Sequence, residues 1–209
     1  MKKEVVLVFQ KNAILGQVKT RLAAGMGEQP ALDIYRHLIE LTYSALEAVP
    51  VSVWTYFSDF IPESTYPTVE KCFLQQGQDL GERMANAFAS TFESGRDKVV
   101  LIGTDCPTLK SQHLLQAFEA LNHSDLVVGP ASDGGYYLIG MNRSMDFLFE
   151  GITWSSELVL SQTLALAAAQ GLQTSLLPVL EDIDTLEDWD RYCSQIGDML
   201  YISTSEQIE

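Results

Sequence analysis

The fold is decided by residues 99–107, which read Val-Val-Leu-Ile-Gly-Thr-Asp-Cys-Pro. Four consecutive aliphatic residues without polar alternation favour a strand that is covered on both faces, as in a parallel sheet between layers of helices. The glycine and the proline that follow end this strand abruptly. Asp105 is therefore expected at the carboxyl end of a central strand, the edge where open α/β sheets bind ligands. A carboxylate there can hold a metal ion, or it can simply cap the helix predicted from about residue 111.

Outward from this stretch, apolar runs alternate with helical patterns along the whole chain. Further strands are predicted at residues 4–9, 51–57, 71–75, 125–129, 136–141 and 172–179, with amphipathic helices in most of the intervals. Strands that alternate with crossovers are typical of a parallel sheet. The turn signal Asp133-Gly-Gly lies between two of the strands and predicts a hairpin or a separate β element there. We expect a mostly parallel α/β protein, and the 209 residues fit a single domain spanning 1–209.

Composition excludes several classes of protein. The net charge of −15 disfavours binding to nucleic acid, which needs a basic surface. No apolar run approaches the roughly 20 residues that cross a bilayer, and no signal peptide precedes the first strand. The three cysteines are widely spaced and form no C-x-x-C pair, which argues against disulfides and a zinc site. We therefore expect a cytoplasmic protein with no membrane or nucleic-acid partner, and the oligomeric state is not indicated.

Basic residues are concentrated near the amino terminus. Five of the thirteen lie in the first 21 residues, where Glu4 is the only acid. Gly16, Lys19 and Arg21 lie in one predicted loop, where a glycine lets the backbone approach a phosphate and two cations can reach it. The loop is not a Walker A motif. It is either a phosphate site or a solvated basic loop.

Three further aspartates allow both a structural and a functional interpretation. Asp133 is either a turn residue or part of a site. Asp182 and Asp184 directly precede a predicted helix start with a capping box at Thr185 and Asp188. They therefore either stabilise the helix through a favourable interaction with its dipole or bind a ligand. Since all three follow strands, a doubly wound sheet could gather them with Asp105 and the early cations. A Mg²⁺ or Mn²⁺ ion would then relieve the repulsion among the carboxylates and bind a diphosphate.

Other polar residues are interpreted structurally. Asp79 and Arg83, at a loop-to-helix junction, suit capping and ion pairing better than ligand contact. The segment Thr153-Trp-Ser-Ser-Glu157 suits the start of a helix that ends at Gly171. Surface positions are expected for all three histidines, His37, His113 and His123.

Several motifs together resemble the DUF2064 family of bacterial transferases, also called radical-SAM/selenodomain-associated transferase 1. They occur in the family's order and cover nearly the whole chain: Lys11 with Gly16-x-Val-Lys-Thr-Arg-Leu22, Asp79-Leu-Gly-Glu-Arg-Met84, Ile102-Gly-Thr-Asp-Cys-Pro-Thr-Leu109, Gly129-Pro-Ala-x-Asp-Gly-Gly-Tyr-Tyr-Leu-Ile-Gly140, Thr153-Trp-Ser and Asp182-Ile-Asp-Thr-x-Glu-Asp188. The chain is also distantly similar to the molybdenum-cofactor and 2-phospholactate nucleotidyltransferases. One departure is that the first loop lacks the prolines that family members often carry between the lysine and the glycine.

The resemblance implies a three-layer α/β/α GT-A-like fold, that of the nucleotide-diphospho-sugar transferases, with a metal-dependent reaction using Mg²⁺ or Mn²⁺. Asp105 resembles the metal aspartate, with Asp182 or Asp184 as the second carboxylate, and Asp133 could act as base. The resemblance implies two further groups of site residues. The phosphate or nucleotide ligands are Lys11, Gly16, Lys19, Arg21, Gly81 and Arg83, and Lys19 is also catalytic. The acceptor side is formed by Gly134, Gly135, Tyr136 and Trp154.

Three functions follow as hypotheses. The leading one is a glycosyltransferase-type enzyme that moves a sugar from a nucleotide diphosphate to an unidentified small-molecule acceptor. The alternative is nucleotidyl transfer, in which a phosphorylated acceptor attacks an NTP and releases pyrophosphate. A third is a nucleotide-sensing module without catalysis.

Overall fold

The computed structural model describes residues 3–205, with side chains up to residue 197. The strands are β1 (Glu4–Gln10), β2 (Ser52–Phe57), β3 (Lys71–Leu74), β4 (Lys98–Ile102), β5 (Leu126–Pro130), β6 (Tyr136–Met141) and β7 (Thr174–Leu176). The helices are α1 (Thr20–Met26), α2 (Glu28–Glu47), α3 (Leu80–Glu93), α4 (Ser111–Ala120), α5 (Val159–Ala169) and α6 (Leu186–Ser205), with one 3₁₀ turn at Asp146–Phe149. None of the helices described is both long and apolar enough to span a bilayer.

Within residues 3–205 the strands form one seven-stranded sheet in the order β3-β2-β1-β4-β6-β5-β7. Every neighbouring pair is parallel except those of β6, which runs antiparallel to both β4 and β5. The prediction of an α/β fold with a mostly parallel central sheet is confirmed. Because β6 is reversed, its start lies at the same edge as the ends of β1, β4 and β5. This edge carries the loops after β1 and β4 and the β5–β6 turn.

Strand β4 is buried on both faces, as its aliphatic run predicts. Val100 and Ile102 pack into one apolar cluster with α2 and α4, whereas Val99 and Leu101 pack into a second with α3 and α5. Each of the four is at most 5% exposed. Burial on both faces keeps the strand rigid, so its carboxyl end is a fixed platform for Asp105.

Three local features differ from the sequence-based expectations. The basic loop contains a two-turn helix, α1, which begins at Thr20 and buries Leu22 against α2 and Ile183. Helix α5 begins at Val159, so residues 153–158 form an irregular segment in place of the expected first helical turn. The prediction of a surface position is wrong for His113, which is 6% exposed, because its Nδ1 accepts a hydrogen bond from the Lys110 N–H and closes the start of α4.

Asp125 ties the start of β5 to the segments beside it, and this contact predicts a pH-dependent stability. Its carboxylate accepts hydrogen bonds from Arg143 Nη1 and from the Gln173 N–H, and these bonds lower its pKa below the ordinary value of 3.8. A lowered pKa adds stability above pH 3.8 that is lost as the pH falls through the folded-state value. In urea unfolding, Asp125→Asn should cost about 1 kcal/mol at pH 7. The difference from the wild type should shrink towards pH 2, and a difference independent of pH would contradict this assignment.

Candidate active site

A cavity of about 600 Å³ lies at the edge where β1, β4 and β5 end and β6 begins. One side is formed by the segment after β1 and by α2, through Lys11, Val18, Lys19, Thr20, Arg21 and Tyr35. The floor carries Asp105, Asp182 and Asp184. The other side is formed by Leu80, Asp133, Gly135, Tyr136, Val159 and the residues from Trp154 to Glu157. The cavity therefore gathers residues from seven separate segments of the chain.

Asp105 reaches the cavity because the chain leaves β4 in a fixed direction. The preceding residue, Thr104, is 2% exposed, and its hydroxyl lies 3.1 Å from the Tyr35 hydroxyl. The Asp105 carbonyl accepts a hydrogen bond of 2.9 Å from the Ile183 N–H. The Asp105 side chain remains 46% exposed, so it is available to a ligand.

Ile183 positions two further aspartates, Asp182 and Asp184, beside Asp105. Its side chain is 1% exposed and packs in the cluster that contains Leu22. With its amide bound to Asp105 and its side chain buried, Ile183 holds Asp182 and Asp184, its two neighbours, at the floor of the cavity. The predicted capping box follows immediately: Asp188 accepts a bond of 2.8 Å from the Thr185 N–H, and the Asp188 N–H donates to Thr185 Oγ1 at 3.3 Å.

Lys19 supplies a cation in the middle of these carboxylates. Its Nζ lies 2.5 Å from Asp105 Oδ1, 3.7 Å from Asp184 Oδ1 and 2.5 Å from the Ile183 carbonyl oxygen, and its side chain is only 4% exposed. The backbone of Lys19 is left-handed, with φ 50° and ψ 44°, which costs a non-glycine residue about 1–2 kcal/mol. Arg21 is 72% exposed and donates to Asp184 Oδ2 at 3.1 Å. Lys19 and Arg21, which were predicted to bind phosphate, therefore both pair with Asp184 from near the other end of the sequence, and Lys19 also pairs with Asp105.

The carboxylates crowd one another electrostatically. Burial, followed by the charge of Asp105, raises the pKa of Asp182 to about 7, with smaller contributions from Asp133 and Asp184 and an opposing one from Lys19. Burial is the largest cause of this rise in pKa, and the neighbouring carboxylates add to it, so both disfavour the ionised form of Asp182. Additional positive charge would therefore be favourable here.

The residues present fit a divalent cation in part. Among the described residues, no three His, Cys, Asp or Glu side chains form a ready ligand group. Yet the position between Asp105 and Asp184 already accommodates one positive charge, the Lys19 ammonium. Hard oxygen ligands are those that Mg²⁺ and Mn²⁺ prefer, and such ions commonly take further oxygens from phosphates and water. A site shared between these carboxylates and a bound phosphate is consistent with this donor set.

The wall opposite the cations is built from two segments in close contact. A Cβ added to Gly134 would lie 2.3 Å from the Glu157 carbonyl oxygen, and one added to Gly81 would lie 2.7 Å from the Trp154 indole. Ser155, between them in the wall, has a left-handed backbone with φ 61°. Asp133 accepts a hydrogen bond of 2.9 Å from the Gly135 N–H, as its turn motif predicts. Asp133 therefore serves the turn and lines the cavity as well.

Most of the residues suggested by the sequence meet in this cavity, and four do not. Those that line it are Lys11, Lys19, Arg21, Asp105, Asp133, Gly135, Tyr136, Trp154, Asp182 and Asp184. Outside it lie Gly16, Gly81, Arg83 and Gly134. Gly81 is covered by Trp154, Gly134 lies beneath Glu157, and Gly16 faces Glu28. Arg83 Nε donates to the Gly77 carbonyl at 3.2 Å, while Asp79 caps α3 by accepting from the Glu82 N–H, which is the structural role expected of this junction.

Sequence reasoning missed two residues that hold the first loop in place. Tyr35 looks like an ordinary core residue of α2, but its hydroxyl accepts from the Lys11 N–H at 3.1 Å, and burial raises its pKa. Asn12 is 6% exposed, and its side-chain amide binds the Phe60 carbonyl at 2.8 Å and accepts from the Asp59 N–H at 3.0 Å. In the sequence, the one sign of this role is that Asn12 is an amide residue between the first strand and the apolar residues of the loop that follows. Neither contact can be read from spacing because the partners are distant in sequence.

The contact between Gly134 and Glu157 predicts the outcome of a single methyl substitution. Gly134→Ala would place a Cβ against backbone atoms at a position where φ is 89°. Gly151 also has a positive φ, 69°, but nothing lies within 4 Å of an added Cβ. We expect Gly151→Ala to cost about 1 kcal/mol in chemical unfolding and Gly134→Ala to cost about 3 kcal/mol or more. Equal costs would show that the two segments are not in contact.

Comparison with known proteins identifies the class to which this fold belongs. The fold is that of nucleotide-diphospho-sugar transferases and nucleotidyltransferases. A crystal structure assigned to a nucleotide-diphospho-sugar transferase from Desulfovibrio desulfuricans G20 superimposes with a TM-score of 0.85 at 32% identity, over 90% of this chain and 85% of that chain. The chain belongs to the DUF2064 family, whose model matches residues 43–156 and is described as an uncharacterized protein conserved in bacteria.

More distant relatives share the fold. The manganese complex of Rv0371c from Mycobacterium tuberculosis H37Rv has a TM-score of 0.55 at 12% identity, covering 91% of this chain and 97% of that chain. CMP:2-keto-3-deoxy-manno-octonic acid synthetase with CTP has 0.56 at 10%, covering 94% and 99%. In sequence, 2-phospho-L-lactate guanylyltransferase of Methanocaldococcus vulcanius is 20% identical over 69% of this chain, and the match spans 65% of that relative's length. The transferase class expected from the sequence agrees with these relatives.

Proposed function

We propose that the protein is a metal-dependent transferase that uses a nucleotide-diphospho-sugar donor and passes the sugar to a small-molecule acceptor. One observation carries the proposal: Lys19 and Arg21 meet Asp105 and Asp184 in a single open cavity at the ligand-binding edge of the sheet. Cations alone would suit any anion, and carboxylates alone any cation. The combination suits a diphosphate that arrives with its own divalent ion.

In the proposed reaction each cavity group has a definite task. Lys19 and Arg21 bind the diphosphate oxygens and stabilise the charge that develops on the leaving nucleoside diphosphate. Asp105 and Asp184, with Asp182, would hold a Mg²⁺ or Mn²⁺ ion, which would supply further neutralisation of that charge. The acceptor hydroxyl forms a bond to the anomeric carbon as the bond from that carbon to the phosphate oxygen breaks. Asp133 accepts the hydroxyl proton.

Nucleotidyl transfer is the second candidate, and it is supported by the distant relatives whose names describe synthetases and a guanylyltransferase. In that reaction a phosphorylated acceptor would attack the α-phosphate of an NTP, and pyrophosphate would leave. Lys19 and Arg21 suit the pyrophosphate equally well. In both reactions Lys19 and Arg21 would bind the phosphates of the nucleotide. The two candidates differ in which nucleotide is bound and in the acceptor.

The experiment that separates them is a thermal-shift panel of NTPs, nucleoside diphosphates and nucleotide sugars, each with Mg²⁺ and with Mn²⁺. We expect nucleotide sugars and nucleoside diphosphates to stabilise the protein in a metal-dependent way. A ligand at 100 times its Kd adds about 2.7 kcal/mol, which is readily visible as a shift in Tm. Stabilisation by an NTP alone would favour nucleotidyl transfer, and no stabilisation by any nucleotide would contradict both candidates.

A further inference from the structure

The wall that faces away from the cations points to the chemical class of the acceptor. We name it the acceptor wall and define it by Asp133, Trp154, Ser155, Ser156 and Glu157. Resting on the proposed function, we infer that the acceptor is a polyhydroxylated molecule without a phosphate or carboxylate group, bound through its hydroxyls and a ring or carbon face.

The charges around the cavity are divided between its two sides. Among the described residues that line it, the cations are Lys11, Lys19 and Arg21, and all of them come from the segment after β1. The acceptor wall contains two carboxylates and two hydroxyls and no cation. Lys11, Lys19 and Arg21 lie on the first wall with the donor phosphates, so a second phosphate bound at the acceptor wall would meet two carboxylates and no cation.

Lys19 and Arg21 are poorly placed to serve an acceptor as well. Both lie on the side of the cavity opposite the acceptor wall, where the proposed reaction uses them for the donor diphosphate. Arg83, the one basic residue of α3, donates its Nε to the Gly77 carbonyl and does not line the cavity. A phosphorylated acceptor would therefore lack the bidentate arginine or the lysine that proteins use to recognise phosphate.

The backbone that carries the acceptor wall is held in place by contacts. The Leu160 N–H donates to the Gly134 carbonyl at 2.9 Å, and Gly134 packs against the backbone of Glu157. The Ser156 hydroxyl donates to the Thr153 carbonyl at 2.6 Å. Trp154 rests on Gly81 at the start of α3. Each carboxylate within about 4 Å of an acceptor phosphate would weaken its binding by roughly 10-fold.

The same wall suits a neutral polyol. Carboxylates accept hydrogen bonds from hydroxyls, and serine hydroxyls both donate and accept. Trp154 and the neighbouring Leu80, which is 45% exposed, offer apolar surface for the carbon face of such a molecule. Asp133 also lies on this wall, where the proposed reaction needs a base for the attacking hydroxyl. This acceptor class favours sugar transfer over nucleotidyl transfer to a phosphorylated acceptor.

A test uses inorganic phosphate as the probe for an acceptor phosphate site. The protein is first saturated with Mg²⁺ and the nucleoside diphosphate that stabilises it most, and inorganic phosphate is then titrated while ³¹P line widths are followed. We expect no saturable site on the acceptor wall of the wild type. Glu157→Lys should bind phosphate at least about 10-fold more tightly than the wild type, because the reversal replaces a repulsive charge with an attractive one.

Glu150→Lys is the matched control, since Glu150 is exposed and does not line the cavity. It should leave phosphate binding unchanged. Phosphate binding by the wild type that Trp154→Ala abolishes would overturn the inference, as would equal effects of the two lysine variants. Failure of every nucleoside diphosphate to bind in the first step would instead contradict the proposed function, so the two failures are distinguishable.

Discussion

Asp105→Asn is expected to reduce turnover by roughly 100- to 1,000-fold, because it removes the carboxylate at the centre of the charge-stabilising group. It should also remove the dependence of nucleotide binding on Mg²⁺ or Mn²⁺. The Asp105 backbone bond from Ile183 does not involve the side chain, so the fold should be retained. The measurements are steady-state kinetics and thermal shift with nucleotide, each with and without metal.

Asp146→Asn is the control, because Asp146 is exposed and lies outside the cavity. It should behave as the wild type does in both assays. Metal-dependent binding that survives in Asp105→Asn would exclude Asp105 as a ligand and would revive the hypothesis of a nucleotide-sensing module without catalysis.

Lys19→Met should change two affinities in opposite directions. In the free protein the Lys19 ammonium lies 2.5 Å from Asp105 and 3.7 Å from Asp184, where a divalent ion would have to bind. Two charges about 4 Å apart interact by about 1 kcal/mol in water and by about 4 kcal/mol at an effective dielectric of 20. Removing the ammonium should therefore strengthen Mn²⁺ binding without nucleotide by about 10-fold or more, and should weaken nucleotide binding by a similar factor.

Isothermal titration with Mn²⁺ alone, and then with nucleotide at saturating Mn²⁺, measures both effects. Lys110→Met, which removes an exposed cation outside the cavity, should leave both affinities unchanged. A decrease in Mn²⁺ affinity in Lys19→Met would mean that the lysine does not occupy the cation position. Methionine has a similar length and flexibility, so the change mainly removes charge.

The sheet was predictable because its signals are local. The uninterrupted aliphatic run of residues 99–102 is sufficient to indicate a doubly covered strand. The Asp133-Gly-Gly signal indicated a turn but left a hairpin and a separate β element open, and the structure shows the hairpin. The short helix α1 was missed because its seven residues include only one buried apolar side chain, Leu22, and give no periodic pattern. The burial of His113 depends on a capping contact to Lys110 that composition does not reveal.

The sequence indicated which residues form the site better than it indicated how they are arranged. Residues that follow strands of a doubly wound sheet meet at one edge, which brings Lys19 and Asp105 together from distant positions in the sequence. Spacing cannot reveal that the Ile183 N–H donates a hydrogen bond to the Asp105 carbonyl. This bond places Asp182 and Asp184, the two neighbours of Ile183, beside Asp105. Nor does spacing reveal which glycines are packed beneath other residues, and for this reason Gly81 and Gly134 were expected in the cavity and lie outside it.

The most direct measurement is a crystal structure of the protein soaked with Mn²⁺ and the nucleotide that stabilises it most, with the metal located by its anomalous signal. We expect the ion between Asp105 and Asp184, the diphosphate oxygens on Lys19 and Arg21, and the Lys19 ammonium displaced from its contact with Asp105. A nucleotide bound elsewhere, or a diphosphate in the cavity that touches neither cation, would contradict the account.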